Sequence, residues 1–278
     1  MKSNVQQIGV GATGELSLRV SVASLIKIMF TNPGDGRCML VLERTATVPK
    51  NNEKMPVTVK AKPFGGAIRL VDSQALRDLI GDFHYDSQRS RLEADMRIQI
   101  NPASWQSLKE LCWEHLQNPR RNILDYSPGR ELEEEFRDTL HLEITQYQYQ
   151  VKLRMMVFED QPVKTENMRA PGTLTQRIYY IYEAQIENKE LISSILDNHQ
   201  RYTDRDLQEI AILDAQQGGR GRANAVLVLP LADLVEYYRS FSMEIRSGPL
   251  KYGEHSLAEN VLAFLREVDQ TRYKAFIS

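Results

Sequence analysis

Apolar and polar residues alternate near the start of the chain, where Ser17, Arg19 and Ser21 separate Leu16, Leu18, Val20 and Val22. A period of two predicts a half-buried strand, which extends into SLIKIMF (Ser24 to Phe30). The turn-forming TNPGDGR (Thr31 to Arg37) then leads into CMLVLERT, a short buried strand. The polar TVPKNNEKMP separates it from VTVKAKPFGGAIRL, which is strand-like at both ends and broken by Pro63-Phe64-Gly65-Gly66. Paired glycines inside strand character mark a bulge, a tight bend or a close backbone approach.

Helical spacing is weak over Leu76 to Ile80, and RIQI (Arg97 to Ile100) is a short strand stopped by Asn101-Pro102. Ser104 suits an N-cap, and Trp105, Leu108, Leu111, Cys112 and Leu116 recur at three and four, predicting a helix with a core-facing stripe. Tyr147, Tyr149, Val151, Leu153 and Met155 alternate with Gln, Lys and Arg, so this strand buries one face. RIYYIYEAQI (Arg177 to Ile186) is another strand, NKELISSILDN a helix, RYTDRDLQEI a polar stretch and QQGGRGRAN a loop. A buried strand AVLVLPL, a helix from Ala232 towards Tyr238 and a last helix across SLAENVLAFLREV complete the pattern. Strands and helices mix without strict alternation, which predicts an α/β (α+β) fold with a mixed sheet.

Composition adds bounds. The 278 residues carry a formal net charge of -2, so no field of one sign points to bulk nucleic-acid or membrane binding. No apolar run approaches the ~20 residues that span a bilayer, and MKSNVQQIGV lacks a signal-peptide core. The expectation is a cytoplasmic protein. Cys38 and Cys112 fit no metal-ligand spacing, and the five histidines form no metal pair. GVGATG (Gly9 to Gly14) matches a dinucleotide fingerprint, but a strand follows it where phosphate binding requires a helix. GGRGR (Gly218 to Arg222) resembles an RNA-binding patch, yet it is one short loop in a near-neutral chain.

The densest chemistry is SPGRELEEEF, Ser127 to Phe136. Ser127 suits an N-cap and Pro128 the first helical position. Leu132, Phe136, Thr139 and Leu140 then form one stripe, with Glu131, Glu134 and Glu135 on a shared face beside it. Like charges at i and i+4 repel by a few tenths of a kcal/mol. A hard divalent cation with oxygen ligands would turn that repulsion into coordination; the alternative is an ordinary solvated helix face.

RELEEE (Arg130 to Glu135) resembles the helical half of the Nudix box, and PFGG (Pro63 to Gly66) resembles the Pro-Gly-Gly turn that opens it. CMLVLERT is similar to the family's early strand ending in an arginine, here Arg44. The resemblance covers roughly Leu16 to Ile186 and implies a Nudix-like α/β/α sandwich with a mixed sheet. It implies Glu131, Glu134 and Glu135 as catalytic, metal-holding residues for Mg2+ or Mn2+, and Gly65, Gly66, Arg44 and Arg130 on the substrate side. The chain then reads as one domain over 1–278, with an insertion at about 72–126 and a C-terminal extension at about 187–278.

The activity implied is hydrolysis of a phosphoanhydride in a nucleoside diphosphate-linked substrate. Between Gly66 and Arg130 lie 63 residues, the box glycine is replaced by Arg137 and the next aliphatic by Asp138, and Asp72 stands where the first half-box has a glutamate. These departures favour the alternative, a catalytically inactive Nudix-fold nucleotide-sensing or regulatory module. Either way the expected partner is a nucleotide-like small molecule, not a membrane or nucleic acid, and a homodimer is compatible with it.

Overall fold

The computed structural model describes residues 17–49, 56–117, 123–125, 128–141, 144, 149–164, 172–240, 250–265 and 273–277, with only the backbone at 128, 130, 131, 140, 240, 276 and 277. Strands and helices are mixed, and the fold is of the α/β class. In chain order the first half comprises β1 (Leu18–Thr31), β2 (Cys38–Thr47), β3 (Thr58–Lys62), β4 (Arg69–Leu70), α1 (Ser73–Ile80), β5 (His84–Tyr85), α2 (Gln88–Glu93), β6 (Arg97–Ile100), α3 (Trp105–Gln117), β7 (Leu124–Asp125) and α4 (Pro128–Leu140). The second half comprises β8 (Tyr149–Glu159), β9 (Val163–Lys164), β10 (Leu174–Ile186), α5 (Lys189–Arg201), α6 (Asp204–Gln216), β11 (Arg222–Pro230), α7 (Leu231–Ser240), β12 (Leu250–Tyr252), β13 (His255–Leu257) and β14 (Tyr273–Ile277).

β1 is the axis of the large sheet. It runs parallel to β10 from Arg19/Thr175 to Met29/Gln185, while β8 and β14 extend that side antiparallel. Its even positions Leu18, Val20, Val22, Ile26, Ile28 and Phe30 join one core with Leu108, Leu111 and Cys112 of α3, Leu132 and Phe136 of α4, and Leu191, Ile192 and Ile195 of α5. Leu25 joins a second core with Tyr179 and Ile181 of β10 and Leu234 and Tyr238 of α7. Burial of both sheet faces is the main stabilising term, at ~25 cal/mol per Å² of apolar surface.

The other edge of β1 is shared by three segments. β6 pairs at Leu18 to Ser21, and β2 pairs at Ile28 to Thr31. Between them the Phe64–Ile68 segment closes the gap: Ser24 N–H donates to the Gly66 carbonyl and Ile26 N–H to the Phe64 carbonyl, both at 2.9 Å, and Ile68 N–H donates to the Val22 carbonyl at 3.1 Å. The double glycine is therefore the point where β3 leaves β2 and crosses onto β1. A Cβ at Gly65 would stand 2.1 Å from the Ser24 carbonyl oxygen, and its φ of +127° is one that L side chains rarely adopt. Only glycine fits there.

Several expectations need correction. RYTDRDLQEI opens α6, whose start carries a capping box between Thr203 and Asp206; only Leu207 and Ala211 are buried, too few for a visible stripe. The described part of SLAENVLAFLREV forms β13 and a single 3-10 turn, Glu259–Ala263, because Leu257 pairs with Ala61 of β3 and the Ala258 amide donates to the Ala61 carbonyl. Ser104 does not cap α3; its hydroxyl donates to the Ile80 carbonyl, and Asn101 accepts from the Ala103 amide instead. GVGATG, Leu16, Ser127 and Tyr147 lie outside the described residues. Among the described residues no helix is long and apolar enough to cross a membrane.

Candidate ligand pocket

The glycine bend and the acidic helix meet. The Gly65 amide donates to Glu135 Oε2 at 2.6 Å, and the rings of Phe64 and Phe136 pack with centroids 5.2 Å apart. The contact follows from the α4 stripe: Leu132, Phe136 and Thr139 are buried, which turns Glu135 towards the bend while Glu134 stays exposed. Lys62 joins the same junction, with Nζ 2.5 Å from Glu43 Oε2 and 3.9 Å from Glu135 Oε1. Burial opposes the Lys62 charge, but the pull of Glu43 and Glu135 outweighs it and holds the ammonium above the usual lysine range.

A cavity of about 390 Å³ opens where β1, β3 and the Gly65-Gly66 crossing diverge. On one side it is lined by the odd positions of β1 from Arg19 to Leu25, and elsewhere by Lys60, Lys62, Arg97, Arg177, Tyr179 and the Ala258–Asn260 segment. Among the described residues, five cationic side chains and one carboxylate, Glu259, form its wall. Three of those cations converge through strand register. Ser21 is the ladder partner of Arg177 on β10 and of Arg97 on β6, and Arg19 lies two positions back on the same face. Neighbouring strands are ~4.8 Å apart, so Arg177, Ser21 and Arg97 make a row across three strands.

Each guanidinium is braced by a carboxylate that does not line the cavity. Arg19 donates to Asp86 from Nε at 2.9 Å and pairs through Nη2 at 2.7 Å. Arg177 Nη1 contacts both oxygens of Glu159, at 2.9 and 3.0 Å, and Arg97 Nη1 reaches Asp95 at 2.8 Å. Planar forks held this way keep a fixed orientation, which suits recognition of carboxylate or phosphate oxygens. Burial resists the Arg177 charge, and the surrounding Tyr179, Glu159 and Tyr273 nevertheless raise its pKa. Asn260, another lining residue, carries a buried acceptor, Oδ1, without a protein hydrogen bond among the described residues.

The expected site residues separate into three groups. Gly65 and Gly66 line the cavity, and Glu135 touches Gly65 from outside it. Arg44 does not reach the cavity: its guanidinium is buried, pairs with Asp204 at 3.1 Å and donates to the Tyr202 carbonyl, tying β2 to the start of α6. The side chains of Arg130 and Glu131 lie outside the described residues. Asp72 is the N-cap of α1, accepting from the Gln74 and Ala75 amides, and His141 takes a left-handed conformation at the end of α4. Arg19, Ser21, Lys60, Lys62, Arg177 and Asn260 escape the sequence reading. One signal was present: Arg19 and Arg177 are charged residues inside long strands whose apolar positions read as buried.

Comparison of the chain with protein-family models, with curated proteins and with solved structures finds no match in any of the three.

Proposed function

We propose that this protein binds a phosphorylated, nucleotide-like small molecule in the cationic cavity, as a Nudix-fold sensing or regulatory module. The reading rests on three guanidiniums, Arg19, Arg97 and Arg177, that line a volume of about 390 Å³ and are each held in place by a carboxylate outside it. Small-molecule sites commonly enclose ~300–1,000 Å³. A phosphate offers acceptor oxygens and negative charge, and charge-assisted hydrogen bonds from oriented guanidiniums are roughly twice as strong as neutral ones. Asn260 Oδ1 adds an acceptor for a hydroxyl or amino group on the neutral part of such a ligand.

Mg2+ or Mn2+ fits the described carboxylates poorly. No group of three or more His, Cys, Asp or Glu side chains converges among the described residues. Glu135 already accepts from the Gly65 amide and faces the Lys62 ammonium. The reading is therefore one of recognition.

Metal-dependent hydrolysis of a phosphoanhydride is the second reading, favoured by one contact: the Gly65–Glu135 hydrogen bond brings the acidic helix to the cavity's rim. Calorimetric titration with a panel of nucleoside diphosphate derivatives separates the two, paired with product release in Mg2+ and Mn2+. Saturable binding without turnover supports recognition. Metal-dependent turnover that disappears in Glu134→Gln/Glu135→Gln supports hydrolysis. Absence of binding across the panel overturns both.

A further inference from the structure

Three like charges share one wall of the cavity. Ser21 is level with Arg177 on one side and with Arg97 on the other, and Arg19 lies two positions back on β1. All four residues line the cavity. The guanidiniums are close enough to act on one another. Burial lowers the pKa of Arg19, Asp86 opposes that, and the neighbouring charges of Arg177 and Arg97 lower it further. Asp86, Glu159 and Asp95 each hold one guanidinium, but none of these carboxylates lines the cavity. An anion seated between the arginines relieves their repulsion from the cavity side, where the bracing carboxylates do not reach.

Resting on the reading that the cavity takes a phosphorylated ligand, we infer that the arginine row around Ser21 seats a terminal phosphate and rejects a phosphate esterified on both sides. A terminal phosphoryl group presents three unsubstituted oxygens, and a diester presents two. The cationic donors come from three different strands, β6, β1 and β10, so they approach a central anion from different directions. Each guanidinium can then meet an oxygen of its own through charge-assisted hydrogen bonds. The Ser21 hydroxyl adds a neutral donor in the middle of the row. A second ester link puts carbon on one of those oxygens. It removes a negative charge and leaves one guanidinium facing a weak acceptor.

The distinguishing probes are the 5′-monophosphates of the common ribonucleosides, each paired with its methyl phosphodiester, titrated calorimetrically into the full chain. Within a pair the two ligands differ by one methyl group on one oxygen. For any nucleoside that binds, the monophosphate should be tighter by about 10-fold or more. Arg97→Gln, whose partner Asp95 is only partly enclosed, should weaken the monophosphate by about 10-fold and narrow the gap within each pair. Ser21→Ala, which removes a hydroxyl without adding bulk, should weaken the monophosphate by a smaller factor, and it keeps the test open if Arg97→Gln does not fold. Equal binding within pairs that falls in Arg97→Gln overturns the terminal-phosphate seat and leaves the phosphate reading standing. A monophosphate preference unchanged in both folded variants also overturns the seat, because the discrimination then lies elsewhere. If no member of the series binds, both readings fall.

Discussion

Gly65 and Glu135 are 70 positions apart in sequence and joined by a 2.6 Å hydrogen bond. The bond connects the point where the sheet changes partner strands to the helix that covers one core. Gly65→Ala places a methyl group against the Ser24 carbonyl and forces an unfavourable φ. We expect a loss of about 1–3 kcal/mol or more, from the strained backbone alone. Denaturant unfolding measures it, and a wild-type midpoint for Gly65→Ala would refute this account of the crossing. Glu135→Ala should cost about 1–3 kcal/mol by leaving the Gly65 amide without its acceptor, and Glu135→Gln less, because an acceptor remains.

Arg177 and Glu159 form a pair in which the Glu159 side chain is 0% exposed. Removing one partner of a buried pair costs about 3–5 kcal/mol, since the other charge stays enclosed. Arg177→Gln should therefore lower the melting temperature sharply, and Arg177→Gln/Glu159→Gln should recover part of it. Ligand affinity should not recover with the second change. Parallel recovery of both would show that Arg177 acts only through folding.

Asp86 carries a pH dependence. Burial works against its charge, but hydrogen bonds from Ser90 and Arg19 hold its pKa below the usual carboxylate value. A depressed folded-state pKa stabilises above the unfolded value of ~3.9, and the contribution fades as pH falls through the folded value. Wild type should lose stability on acidification below about pH 4 more steeply than Asp86→Asn. Equal slopes in urea titrations across that range would contradict the assignment.

Thiol reactivity tests the placement of α3. Cys38 is exposed, whereas Cys112 is fully buried and burial pushes its thiol up to about 12. Since the thiolate is the reactive form, a native chain should release about one equivalent of chromophore per molecule with an aromatic disulfide reagent. The second should appear only after unfolding. Two fast equivalents would mean that α3 does not cover its core as described.

The sequence alone determined the local grammar. Leu18, Val20 and Val22 announce β1 because side chains in a strand alternate between faces, and all three are buried. Leu132, Phe136 and Thr139 announce the buried stripe of α4 in the same way. It also singled out Gly65, because paired glycines are costly inside a strand unless the backbone must come close to another. It left α6 unread and placed a helix where β13 and the 3-10 turn at Glu259 stand, since their form depends on contacts with distant strands.

Only the tertiary structure decided which charges share a site. Arg19, Arg97 and Arg177 are scattered over the chain, and no periodicity links them. They meet because β1 runs parallel to β10 and antiparallel to β6 with Ser21 level with both other arginines. Register between strands is set by the whole sheet and its cores, not by any one strand's composition. The same physics sent Arg44, a plausible ligand contact by sequence, into a buried tie with Asp204, because its face of β2 turns towards α6 and away from the cavity.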